Sequence, residues 1–297
     1  MRPAVYLTII PSGLGNQLFQ YAAGFAFAKT WSVPLKVDIG MFDNPTYTRS
    51  YALHRFALTA TYATSAEHRY FSSQSVAARL RRLVDYVRSG GQHAQIGDYH
   101  AMRRLHPALQ EAPPRRPVQV AGFWEVAEFA RIGGRELRQE LTLREPPDPE
   151  NEEWLRRIDE SPAVAVHVRG SDLIRHEKLH GRYVPGPEYY GPAADRMAAR
   201  EPAAVFYVFS DEGAFARQSV RLPYPTVFVE HNGEERHHED LRLFARCRHH
   251  ILASSTFGWW GAWLGAREGQ HVIAPKTYFV GNDPPIEEYY PPEWELL

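Results

Sequence analysis

Cysteine is almost absent: Cys247 is the single one in 297 residues. That excludes an internal disulfide framework and fits a reducing compartment. Lysine is nearly as scarce, occurring only at Lys29, Lys36, Lys178 and Lys276, so arginine carries the positive charge. Arginine suits bidentate phosphate binding. A strong charge of either sign is also missing, and the formal net charge of −1 gives no support to a general nucleic-acid affinity. Long apolar runs are lacking. The N-terminal run "AVYLTII" is roughly seven residues and ends at Pro11, too short for a membrane span and with no small-residue cleavage site after it. A soluble, cytoplasmic protein with at most peripheral membrane association is expected.

What is present is an ordinary globular composition, 44% hydrophobic and 23% charged, in a chain long enough for two domains. "AVYLTII" reads as a strand, "PSGLGNQ" as a turn and "LFQYAAGFAFAKT" as a helix, with "VPLKVDIG" completing a βαβ unit. Residues 60–115 are weakly patterned, with surface helices such as "VAARLRRLVDYVRS"; "VQVAGFWE" is a further buried strand. A helix interrupted by a Gly pair covers "EFARIGGRELRQEL". "REPPDPENEE" is the linker candidate, because its prolines and acids resist continuing a helix or a central strand. Beyond it, strands at "AVAVHVRG", "AVFYVFSDE", "PTVFVEHN", "HHILASS" and "HVIAPK" alternate with helices. Such alternation implies parallel sheets with right-handed crossovers. Two α/β domains, 1–148 and 149–297, are expected, with ligands at the carboxyl ends of strands and the interdomain cleft as the default active site.

Four clusters fall at expected strand ends. "GLGNQ" supplies Gly13, Gly15, Asn16 and Gln17 at a helix mouth, where N–H groups can face an anion. It is not a full dinucleotide fingerprint, since the third glycine would fall at Leu18, and a tight strand-to-helix turn is the competing reading. "HVRGSD" offers His167 and Arg169 on one side of a strand end, with Asp172 able to orient either. Its structural alternative is an Arg169–Asp172 salt bridge that anchors the loop. "FSDE" contributes Asp211. "SSTFG" contributes Ser254, Ser255 and Thr256, one of them expected as a helix N-cap and the others available to phosphate or sugar oxygens. Trp259, Trp260 and Trp263 share a helix face and are read first as core. Asp240 either caps its own helix or accepts hydrogen bonds from a base such as guanine.

"HEKLH" (176–180) matches the H-E-x-x-H zinc pattern, but Gly181, Pro185, Gly186 and Pro187 follow it and point to a loop. A zinc site of that type needs a stable helix. No D-x-D occurs, which removes the usual carboxylate pair for a metal-bound nucleotide sugar. No metal site is expected.

These segments resemble the α-1,2-fucosyltransferases of glycosyltransferase family 11. "GLGNQLFQYAAGFAFA", "HVRGSD", "VFYVFSDE" and "LASSTFGWWGAWLG" with "VIAPKTYF" are similar to that family's blocks, in family order. The resemblance implies a GT-B fold of two Rossmann-like domains, an acceptor-side N-terminal domain and a GDP-fucose-binding C-terminal one. It further implies inverting transfer from GDP-fucose to the 2-hydroxyl of a galactose-terminated acceptor, with no cofactor or metal. By similarity Arg169 would contact the β-phosphate, and His167 and Asp240 the guanosine end. Ser255 and Thr256 would line the diphosphate; Gly13, Gly15 and Asn16 would face fucose and acceptor. Asp172, Glu177 and His180 are the candidates for the base. The family's second consecutive arginine is Gly170 here. The other readings are a non-catalytic glycan- or nucleotide-binding protein on the same fold, and a zinc hydrolase using "HEKLH".

Overall fold

The computed structural model describes residues 2–92, 95–98, 106–170, 183–278 and 286–297. The chain divides into two compact units, Met1–Arg144 and Glu145–Leu297. The division precedes the expected boundary because Arg144 is tied into the first unit. Its amide donates to the Arg55 carbonyl at 2.9 Å and its Nε to the Phe56 carbonyl at 2.5 Å. Only the front of the expected linker is a connection. Asp148 accepts from the Asn151 amide, Pro149 takes the first helical position, and a helix runs Pro149–Asp159. Proline is tolerated there because that N–H has no intrahelical partner anyway.

The first unit holds a parallel sheet of β1 (Val5–Thr8), β2 (Leu35–Asp38), β3 (Thr61–Tyr62), β4 (Gln95–Asp98) and β5 (Val118–Gly122). Its order is β3-β2-β1-β5-β4, so the direction of winding reverses between β1 and β5. The helix Leu14–Trp31 is buried on nearly all sides, which explains why its sequence is apolar all round. It begins four residues before the expected start. Leu14, Gly15, Asn16 and Gln17 are its first turn rather than part of a loop, with Gly13 as N-cap. The Gly pair does break the helix Ala127–Glu140, where Gly134 takes φ 59°.

The second unit holds β6 (Ala163–Val168), β7 (Val205–Ser210), β8 (Thr226–Val229), β9 (His249–Ile251), β10 (Val272–Ala274) and β11 (Glu295–Leu296). The order is β8-β7-β6-β9-β10-β11, with every pairing parallel. Counted from β6, this is the Rossmann order 3-2-1-4-5-6, whose switch point lies between β6 and β9. β6 is buried along its whole length, as a central parallel strand must be. The helix Thr256–Leu264 follows β9 and buries Trp259, Trp260 and Trp263, which are core residues as expected.

Candidate functional site

In the second unit the switch point gathers the carboxyl ends of three neighbouring strands. β6 delivers His167 and Arg169, β7 delivers Asp211, and β9 leads into Ser254, Ser255 and Thr256. Arg169 Nη1 lies 2.7 Å from Asp211 Oδ2, both side chains being a little over a quarter exposed at 27% and 28%. The other carboxylate oxygen accepts from the Gly170 amide at 3.0 Å. Asp211 is thus a described partner of Arg169, while the Arg169–Asp172 salt bridge considered from sequence lies outside the described residues. One carboxylate fixes both the guanidinium and the backbone beside it. Asp211 is a positioning group by this geometry.

His167 is 4% exposed and sits among Phe257 (centroids 5.5 Å) and Phe244 (6.0 Å). Burial pushes its imidazole down to about 4, so it is neutral at pH 7. Nδ1 has no hydrogen-bond partner among the described residues. Gly258 explains the close approach of the helix behind it, since a Cβ there would lie 3.0 Å from that nitrogen. Gly170 has a similar packing reason. A Cβ would meet Phe215 Cδ1 at 2.8 Å and Glu212 Cβ at 3.0 Å. An arginine does not fit there without displacing Phe215.

The three hydroxyls divide their work. Ser255 is the N-cap, its Oγ accepting from the Phe257 amide at 3.3 Å, and Ser254 donates to the Thr277 carbonyl at 3.2 Å. Thr256 opens the helix and is 7% exposed. Asp240 lies in the first turn of the helix His237–Arg246, which has no side-chain cap, so the capping role is not observed. Asn232 donates to it at 2.9 Å. Burial nevertheless pushes its carboxyl up to about 7, against the opposing effects of Asn232 and Arg236. Asp240 stands one turn from Phe244 on the same helix face, and Phe244 is a ring neighbour of His167.

In the first unit, the loop after β1 is fastened from behind. Gln17, 1% exposed, donates to the Ser12 carbonyl (2.7 Å) and the Ser50 carbonyl (2.9 Å) and accepts from the Ala52 amide (2.9 Å). Its amide is thus engaged by backbone, and its role is to hold loops. Gln20 does the same from one turn further, bonding both the amide and the carbonyl of Ile10. At the rim, Gly13 has an ordinary φ of −62°, and a Cβ would meet nothing within 4 Å. Neither backbone conformation nor packing requires glycine there. Asn16 is half-buried in the same first turn, and Gly15 is buried.

One group at this edge was not anticipated. Asp38, 5% exposed at the end of β2, bonds His68 Nδ1 through both oxygens at 2.9 and 3.0 Å. It also accepts from the Gly40 amide at 3.0 Å. His68 Nε2 has no hydrogen bond among the described residues. With Nδ1–H donated to a carboxylate, the neutral ring carries its lone pair on Nε2. The two residues are thirty apart in sequence, and no local motif links them.

Asp172, Glu177 and His180, with the "HEKLH" stretch, lie outside the described residues. Among the described residues no group of three or more His, Cys, Asp or Glu is arranged to hold a metal ion. No described helix is long and apolar enough to cross a membrane.

A parallel sheet in Rossmann order, with a guanidinium held by a carboxylate and a hydroxyl-rich helix start at the strand ends, defines a Rossmann-like α/β unit. Two parallel-sheet units in one chain make the GT-B type of fold. The chain belongs to glycosyltransferase family 11, whose model matches residues 5–297. It is 33% identical over 295 residues to the Escherichia coli O-antigen biosynthesis glycosyltransferase WbnK, covering 92% of this chain and 95% of the relative. An Escherichia coli α-1,2-colitosyltransferase is 24% identical, with 98% of each chain covered. The mouse galactoside 2-α-L-fucosyltransferase Sec1 is 24% identical over 99% of this chain and 74% of its own length. A solved structure of a variant of Arabidopsis thaliana FUT1 in complex with GDP shares the fold. Its TM-score is 0.51 at 14% identity, with 92% of this chain and 70% of that one covered.

Proposed function

We propose that the chain transfers L-fucose from GDP-fucose to the 2-hydroxyl of a galactoside, with inversion and without a metal ion. The observation that carries this reading is the Arg169–Asp211 pair at the carboxyl ends of β6 and β7, beside the switch point, 2.7 Å apart. Family membership and the α-1,2 activities in the relatives' names support it. In the reaction the bond from fucose C1 to the diphosphate oxygen breaks, and a bond from C1 to the acceptor oxygen forms on the opposite face. Charge grows on the leaving diphosphate, and a guanidinium already oriented by Asp211 stabilises that charge without reorganising. Asp240 receives the donor groups of the guanine ring, and Thr256 with its neighbouring backbone lines the diphosphate.

The acceptor hydroxyl must lose a proton. Asp172, Glu177 and His180 remain candidates by sequence, and His68 joins them on geometry, as a base whose tautomer Asp38 fixes. The test is product formation from GDP-fucose and a β-galactoside in excess EDTA. Arg169→Ala should lower kcat/KM by about 10²–10³. Activity abolished by EDTA and restored by a divalent metal would sink the metal-free reading. GDP binding without turnover on any galactoside would favour a binding protein on this fold. The donor panel should include GDP-colitose, because a colitosyltransferase stands among the relatives. The packing of Phe215 where a second arginine would go bears on donor choice.

A further inference from the structure

The helix Val76–Arg88 is amphipathic in the reverse of the usual sense. Its polar side faces the protein. Arg82 donates to the carbonyls of Tyr70 (2.7 Å) and Ser73 (3.0 Å), and Asp85 accepts from the Tyr70 hydroxyl at 2.7 Å. Its apolar side faces outward. Val76, Leu80, Leu83, Val84 and Val87 are spaced to form one stripe, and they are 73, 57, 55, 46 and 68% exposed. No residue of this helix is buried. Six of the nine large hydrophobic residues exposed among the described residues lie on these four turns. A helix placed so exposes its apolar stripe to solvent at a cost that folding alone does not explain.

Charge tells what covers the stripe. By helical position Arg79 flanks it on one side and Arg81 and Arg88 on the other, all three exposed. The helix's only acid, Asp85, is turned inward. A second copy of the chain would set these arginines against identical ones. A lipid surface with anionic headgroups meets them with opposite charge and receives the apolar side chains below. We infer that Val76–Arg88 is a membrane-interface helix that seats this unit on an anionic bilayer surface. Its thirteen residues, about 20 Å long, lie in the plane of the interface, and the leucine stripe enters the headgroup boundary. The inference is independent of which sugar is transferred.

Sedimentation of the full-length chain with lipid vesicles tests it. The chain should pellet with vesicles of phosphatidylcholine mixed with phosphatidylglycerol, not with phosphatidylcholine alone, and added salt should release it. Leu80→Ser with Leu83→Ser should weaken partitioning about tenfold or more. Arg79→Gln with Arg88→Gln should weaken it by roughly fivefold per arginine at low salt. Thermal melting should be unchanged in both double variants, because the four side chains are exposed. Three results would overturn the inference: no pelleting by the wild type, equal pelleting by the leucine variant, or a wild-type dimer in light scattering that the leucine variant converts to monomer.

Discussion

Asp240 and His167 show how burial sets the charge of single groups in the second unit. Asp240 would be ionised far below neutrality in water, yet burial holds its carboxyl at about 7. Between about pH 4 and 7 the folded chain keeps a proton that the unfolded chain has lost, so this residue's contribution to stability falls as pH rises through that window. Donor groups from a guanine favour the ionised form. GDP affinity should therefore be about tenfold weaker at pH 6 than at pH 8, and calorimetry should show a proton released on binding near pH 7. Asp240→Asn should bind GDP weakly at both values with the pH dependence gone; an unchanged slope would separate Asp240 from the base site. The sign for His167 is opposite: lowered to about 4, it withholds a proton that the unfolded chain takes up below about 6.5, so stability falls on acidification. In the other unit, His68→Gln should cut kcat by about 10²–10³ with the KM for GDP-fucose unchanged. A loss confined to thermal stability would make the Asp38–His68 pair a structural link between strand and helix. The residue types were legible in sequence for Asp240 and His167, but their charges were not, because those depend on burial. His68 was not legible at all, since only the packing of the helix Ser65–Ser72 on β2 brings it to Asp38.

At the scale of elements, two glutamine side chains at the helix mouth serve the loops around it. Gln17 and Gln20, two buried residues of the helix Leu14–Trp31, bind backbone groups of the loops at 10–12 and 50–52 and so hold the rim after β1. Gln17→Ala strands two carbonyls and one amide. It should cost about 2–3 kcal/mol by chemical denaturation and speed amide exchange at Ala52 well beyond the global change. Unchanged exchange at Ala52 would show that the loop is fixed by other contacts. The amides read as binding groups because polar side chains at a helix mouth look alike whether they face a ligand or a loop. The strands β6, β7 and β9 were readable because central parallel strands are continuous apolar runs. The edge strands β3 and β11 were not, since two residues each carry no period. Asp148-Pro149 read as linker because proline breaks helices everywhere except at their start, and here it stands at the start.

At the scale of the whole molecule, the chain has two parallel-sheet units with different switch points, one bearing the arginine and hydroxyl groups and the other the open glycine rim and the histidine. If they divide donor and acceptor as the resemblance implies, each ligand should leave its own footprint in hydrogen exchange of the intact chain. GDP should slow exchange at the amides of 168–170 and 254–258, and a β-galactoside at saturating concentration should slow 12–17 and the neighbourhood of Gly40. The helix Val76–Arg88 should respond to neither, because Arg81, Arg82 and Asp85 hold it to Tyr70 and Ser73 rather than to the loops at 12–17 or 40. Protection by GDP at 12–17 without any at 168–170 would reverse the assignment of the units. Protection by GDP at both would mean that donor binding alone orders the acceptor side. The arginine variant separates these outcomes further. Arg169→Ala should abolish the GDP footprint while leaving the galactoside footprint intact, since the Arg169–Asp211 pair and the Gly170 amide it fixes belong to the second unit.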